Sequence, residues 1–146
     1  MLLRHPAHEG GGALAEALLH SCNAYFAQLG DRLGSGEALG ECAQIFGFNR
    51  STGVNSSLGE RAISEDFENP SFRRAAEFGH VELERGANGL MVLEGTPLQV
   101  ARAYAGIATG ELPSLTFTQG TGAPPEPLPI STSYLDAVRS ALKEVA

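Results

Sequence analysis

The sequence is short of the residues that mark several common classes of protein. Among its 146 residues there is no tryptophan, and ten basic residues stand against seventeen acidic ones, for a net charge of −7. This charge balance, with no basic cluster, argues against nucleic-acid binding, because such proteins carry a basic patch or stripe. No apolar run is long enough to cross a bilayer, and we find no targeting segment.

Cysteine and histidine are too sparse to predict a metal centre. The two cysteines, Cys22 and Cys42, fit neither a zinc-binding spacing nor a C-x-x-C motif. We expect two buried or half-buried free thiols. His5 and His8 supply at most half of a metal site, so we expect neither a metal nor a cofactor.

Apolar residues at helical spacing predict a mainly α-helical chain that forms one domain at most. The predicted helices are Ala13–His20, Asn23–Leu33, Glu37–Phe46, Thr96–Thr109 and Tyr134–Val145. Residues 1–12 are predicted to be a flexible N-terminal segment. The Pro/Gly-rich stretch 111–129 is predicted to be a connector without a packed element. The best short strand candidates are His80–Leu83 and Leu90–Leu93.

The helix after Thr96 has the clearest boundaries. Thr96 is a good N-cap, Pro97 suits the first helical position, Gln99 completes a capping box, and Gly110 ends the helix. Because only Arg102 is charged in this nearly all-apolar helix, we expect it to be the most buried element. In the last helix, after a Ser133 cap, the apolar stripe is Leu135, Val138, Leu142 and Val145.

The tripeptide Ser21-Cys22-Asn23 interrupts an otherwise helical pattern. In a continuous helix, Ser21 and Asn23 would point to nearly opposite sides, since residues two apart are separated by roughly 200° around the axis. We therefore predict that the helix breaks here and that both side chains share one open face. From the local sequence alone, capping of two helix ends is the favoured explanation.

This region resembles the Ser-x-Asn motif of the penicillin-binding protein transpeptidase domain. The surrounding blocks follow the family's order and near-family spacing: Tyr25-Phe26, Leu29-Gly30, Leu33-Gly34, Phe46-Gly47-Phe48, Thr52-Gly53-Val54, Gly59-Glu60 and Thr96–Ala105. The resemblance implies one partial domain over residues 1–146. That domain is the helical subdomain of the α/β serine β-lactamase/DD-transpeptidase-like fold, with most of the sheet missing. The Ser-Cys-Asn-Tyr-Phe form is most similar to the branch that works in cell elongation.

The resemblance also implies a chemistry: a serine acyl-enzyme that cross-links peptidoglycan stem peptides in the bacterial cell wall. Ser21 matches the position that relays a proton to the leaving group, and Asn23 matches the position that orients substrate and lysine. The implied ligands are stem peptides and β-lactams. The implied location is the periplasmic or extracytoplasmic face of the cytoplasmic membrane, with any membrane anchor outside this chain.

Two motifs of the family are absent. No serine precedes Ser21, so a Ser-x-x-Lys nucleophile motif is missing there, and no Lys-Thr-Gly follows. The segment Ser140-Ala141-Leu142-Lys143 has the Ser-x-x-Lys spacing, but it follows Ser-x-Asn instead of preceding it, and we interpret it as chance. We expect this chain alone to be inactive and to self-associate through an exposed apolar helix face. The alternative is a non-catalytic protein of the same descent that binds a wall peptide or a protein partner.

Overall fold

Helices dominate the computed structural model, which describes residues 13–54, 75–90, 94–120 and 122–145. The helices are α1 (Ala13–Leu19), α2 (Asn23–Leu33), α3 (Gly36–Ile45), α4 (His80–Ala87), α5 (Pro97–Thr109) and α6 (Thr132–Val145). A 3₁₀ turn covers Ala75–Glu77, and the short strands are β1 (Glu111–Leu112) and β2 (Glu126–Pro127). The mainly α-helical class is confirmed. The predicted flexible segment 1–12 lies outside the described residues.

Local signals fixed most helix ends as expected. Thr96 Oγ1 accepts from the Gln99 N–H at 3.2 Å, and Gln99 Oε1 accepts from the Thr96 N–H at 3.0 Å, which completes the predicted capping box of α5. Gly110, with φ of 86°, ends that helix. The last helix departs from expectation, because α6 begins at Thr132 instead of after Ser133.

The core centres on three leucines: Leu112, Leu128 and Leu135. Two of them lie in the stretch that was expected to hold no packed element, so that expectation is wrong. β1 pairs with β2 in antiparallel register, and the Leu128 N–H donates to the Gly110 carbonyl at 2.9 Å. After the turn at Gly110, the chain packs Leu112 inside, where this residue is only 1% exposed.

Helix α5 has more buried residues than any other described helix, as expected, although one side of it is exposed. Its buried residues are Gln99, Arg102, Ala103 and Gly106. On the other side Val100 and Tyr104 are exposed, Tyr104 by 59%. Apolar character alone therefore did not decide which face packs inward, since two of the four buried residues, Gln99 and Arg102, are polar and hydrogen-bonded.

Arg102 is the main polar anchor of that face. Although it is only 4% exposed, its Nε donates to the Pro113 carbonyl at 2.6 Å and its Nη1 to the Ser51 carbonyl at 2.9 Å. Gln99 Nε2 donates to the Arg50 carbonyl at 3.2 Å. Together these bonds hold the chain after α3 and the chain after β1 against one helix.

The apolar stripe of α6 docks on other helices and is only partly covered. The helix packs against α1 and α5. Leu135 is buried, whereas Val145 remains half exposed. Self-association through the apolar face left exposed on α6 stays a prediction.

Helix α4 corrects the predicted strand His80–Leu83. The Gly79 N–H donates to the Glu82 carboxylate at 3.1 Å, which starts a helix where alternating Val81 and Leu83 suggested a strand. The Nδ1 atom of His80 lies 2.6 Å from Asp31 Oδ1. This contact links α4 to α2.

The α2–α4 contact depends on a glycine. Gly30 is buried, and α2 approaches α4 so closely that a Cβ at this position would collide with the Leu83 carbonyl oxygen. The same Cβ would lie 2.7 Å from the Ala87 Cβ. Only a residue without a side chain fits this crossing.

Replacing Gly30 with alanine tests the close approach. Helix propensity alone favours alanine over glycine by about 1 kcal/mol in a helix interior. Because the added methyl group has no space, we expect Gly30→Ala instead to lower the free energy of unfolding by about 1–3 kcal/mol. Urea denaturation followed by circular dichroism measures this change. An equal or higher stability would contradict the packing of α2 on α4.

Candidate active site

The predicted break at Ser21-Cys22-Asn23 is confirmed. Helix α1 ends at Leu19 and α2 begins at Asn23, so no continuous helix crosses this region. The two helices have different neighbours, because α1 packs against α6 and α2 packs against α4. The three-residue turn between them therefore joins two helix pairs.

The turn is closed by two nested backbone hydrogen bonds. The Cys22 N–H donates to the Ala17 carbonyl at 2.8 Å, and the Ser21 N–H donates to the Leu18 carbonyl at 3.1 Å. This is the bond pattern of a Schellman motif, in which the residue in the Ser21 position is usually glycine. Ser21 has φ of 47°, a left-handed conformation that costs an ordinary residue about 1–2 kcal/mol.

Helix α2 starts at once from the same turn. The Cys22 carbonyl accepts from the N–H groups of Tyr25 and Phe26, at 3.1 and 3.3 Å. The Cys22 side chain makes no capping hydrogen bond. Within the described part of the chain, the N–H groups of Asn23 and Ala24 have no acceptor. Cys22 thus ends one helix and begins the next through its backbone alone.

The side chains of Ser21 and Asn23 are exposed, and neither forms a hydrogen bond among the described residues. The alternative in which these two side chains cap helix ends therefore has no hydrogen bond to support it. A hydroxyl both donates and accepts, and an amide offers a donor and an acceptor at fixed positions. Their common orientation into one cleft stays a prediction.

The remaining candidate groups lie apart from this turn. Cys22 is a half-buried free thiol as expected, but Cys42 is exposed, which corrects the expectation of burial. Ser140 and Lys143 are both exposed on α6. In the residues that the structure covers, no three His, Cys, Asp or Glu side chains form a metal-binding group. No helix there is both long enough and apolar enough to traverse a membrane.

Solved structures of the same fold identify the class of protein. PBP2, a penicillin-binding protein from Helicobacter pylori, matches 90% of this chain with a TM-score of 0.72 and 24% identity. The complex of PBP2 with MreC from the same organism matches 91% with a TM-score of 0.74 and 25% identity. The fold is thus that of the helical part of a penicillin-binding protein.

The family model for the penicillin-binding protein transpeptidase domain matches residues 4–146, and the chain belongs to that family. The match spans 25% of the length of each of the two solved chains. No curated protein matches the chain significantly.

Replacing Ser21 with glycine tests the strained turn. Glycine adopts a positive φ without steric cost, so we expect Ser21→Gly to raise the free energy of unfolding by about 0.5–1 kcal/mol. Ser140→Gly is the matched control, because the same change inside α6 should lower stability by about 0.5 kcal/mol. Thermal and urea unfolding measure both variants. Destabilisation of equal size in the two proteins would contradict the left-handed Ser21.

Proposed function

We propose that this chain is part of a DD-transpeptidase that cross-links peptidoglycan stem peptides at the extracytoplasmic face of the bacterial membrane. Membership of the transpeptidase family supports the general class. The observation that carries the proposal is the turn at Ser21, where a left-handed backbone holds an exposed hydroxyl two residues before an exposed amide. Such strain at a surface position is typical of functional sites.

Ser21 is the proton relay in this proposal. A serine nucleophile needs a nearby base, and the proton must then reach the leaving amine. A hydroxyl suits that transfer because it accepts one proton while it donates another. The two backbone bonds of the turn fix the Ser21 Cα without using the hydroxyl, so its oxygen remains available for the reacting groups.

Asn23 is the orienting residue. Its amide N–H₂ group would donate to a backbone carbonyl of the stem peptide, and its carbonyl oxygen would accept from the lysine of the nucleophile motif. As the first residue of α2, Asn23 belongs to a helix whose own first N–H groups lack acceptors among the described residues. Substrate carbonyl groups therefore meet several donors at this helix start.

The nucleophile and its lysine must come from a Ser-x-x-Lys motif that residues 1–20 do not contain. We propose that a polypeptide of these 146 residues forms no acyl-enzyme. For the whole protein, the likeness to a PBP2 solved with MreC makes an MreC-type protein a proposed partner, and cell elongation the proposed process.

A fluorescent penicillin tests the proposed activity. We expect no covalent label on the 146-residue chain. We expect labelling when this chain replaces the matching segment of Helicobacter pylori PBP2, because that protein then supplies the missing motifs. In this chimaera, Ser21→Ala should slow acylation by roughly 10²–10⁴-fold, the usual contribution of acid–base catalysis, with no loss of thermal stability.

The control is Ser140→Ala in the same chimaera, which should be labelled at the unchanged rate. Label on the 146-residue chain itself, mapped by mass spectrometry to Ser21 or Ser140, would overturn the proposal. A folded chimaera that takes no label would favour the non-catalytic alternative, in which the chain binds a wall peptide or a partner.

A further inference from the structure

A cleft of about 410 Å³ lies between α3 and β2, and neither Ser21 nor Asn23 lines it. This volume falls in the range of small-ligand pockets. One wall comes from α3 and the other from the proline-containing segment around β2. The cleft has no part in the chemistry proposed above.

The floor of the cleft is aliphatic and rigid. It is formed by Leu112 and Leu128 of the core cluster of the described residues and by Ile45, which packs against that cluster. Leu128 is fixed further by its backbone bond to Gly110. An aliphatic side chain that entered the cleft would bury its surface against a floor that is already ordered, with little further loss of conformational freedom.

The rim of the cleft carries an uncompensated negative charge. At one end, Arg50 Nη2 donates to both carboxylate oxygens of Glu126, at 3.0 and 2.8 Å, so these two charges neutralise each other. On α3, Glu41 is exposed, and the structure as described gives its carboxylate no ion pair. The charge left over on the rim is therefore that of Glu41, which favours a cationic occupant.

The geometry of α3 sets the distance between the charge of Glu41 and the aliphatic floor at Ile45. Glu41 and Ile45 are four residues apart on this helix, which places their Cβ atoms about 5–6 Å from each other. An occupant must therefore carry its cation close to its aliphatic group. Pro127 and Pro129 have no N–H group, so this wall cannot pair with a further strand through a regular hydrogen-bond ladder.

We propose that this cleft binds an extended peptide segment of a partner protein that carries an aliphatic side chain next to a cationic group. The aliphatic side chain packs on Ile45, Leu112 and Leu128. The cation lies beside Glu41. Side chains, not backbone pairing, give the selectivity.

Disulfide trapping at Gln44, a lining residue of the cleft, tests this proposal. The variant Gln44→Cys is made in a protein whose native cysteines are removed by Cys22→Ser and Cys42→Ser. It is equilibrated with disulfide probes of cysteamine whose amine is acylated by leucine, N-acetylleucine or glycine. Increasing concentrations of mercaptoethanol compete with each probe for the thiol. Mass spectrometry measures the retained adduct. We expect the leucyl probe to be retained about three- to fivefold better than the N-acetylleucyl probe, the range of one exposed ion pair. It should also be retained better than the glycyl probe, which carries the cation but lacks the aliphatic side chain.

Two variants complete the experiment. Glu41→Gln should remove the preference of leucyl over N-acetylleucyl while the preference of leucyl over glycyl remains. Ser140→Cys, with Gln44 intact, places the thiol on exposed α6 and should show no preference. Equal retention of the three probes at residue 44, or the same preference at residue 140, would overturn the proposal.

Discussion

The left-handed backbone of Ser21 is the constraint on which the arrangement of the helices depends. Three residues must end α1 and begin α2, and two nested backbone bonds from Ser21 and Cys22 end α1 without a side-chain hydrogen bond. Because α1 packs on α6 and α2 packs on α4, this turn fixes how the two helix pairs meet. Glycine would satisfy the turn at lower energy. The presence of serine is explained if the hydroxyl has a function.

A second constraint is the burial of Arg102. Two backbone carbonyls, of Ser51 and Pro113, accept from one guanidinium group, and a planar fork of donors suits that arrangement better than the single ammonium of lysine. Removing the side chain would leave both carbonyls without these donors, and each unpaired buried polar group costs about 1–3 kcal/mol. This requirement explains why α5 keeps Arg102 on its buried side, while Val100 and Tyr104 are exposed.

Features that depend on a few neighbouring residues were predictable from the sequence. The capping box at Thr96, the helix end at Gly110 and the break after α1 all follow from local backbone chemistry. The burial of Leu112 and Leu128 was not predictable, because it depends on pairing across a connector whose composition indicates only turns. The strand prediction at His80–Leu83 was wrong because the spacing of Val81 and Leu83 does not distinguish a strand from a helix over so short a stretch. At the site, the residue types predicted Ser21 and Asn23, but nothing local indicated that Ser21 takes the position of a glycine.

The central claim is that Ser21 and Asn23 act together on one acyl group. A crystal structure of the penicillin-acylated chimaera measures this directly. The proposed roles require the Ser21 Oγ to lie about 2.6–3.2 Å from the amine of the motif lysine, with the Asn23 amide donating to the carbonyl of the penicillin side chain. An acylated structure in which either side chain points away from the acyl group, while α1 and α2 keep the break seen here, would contradict the claim.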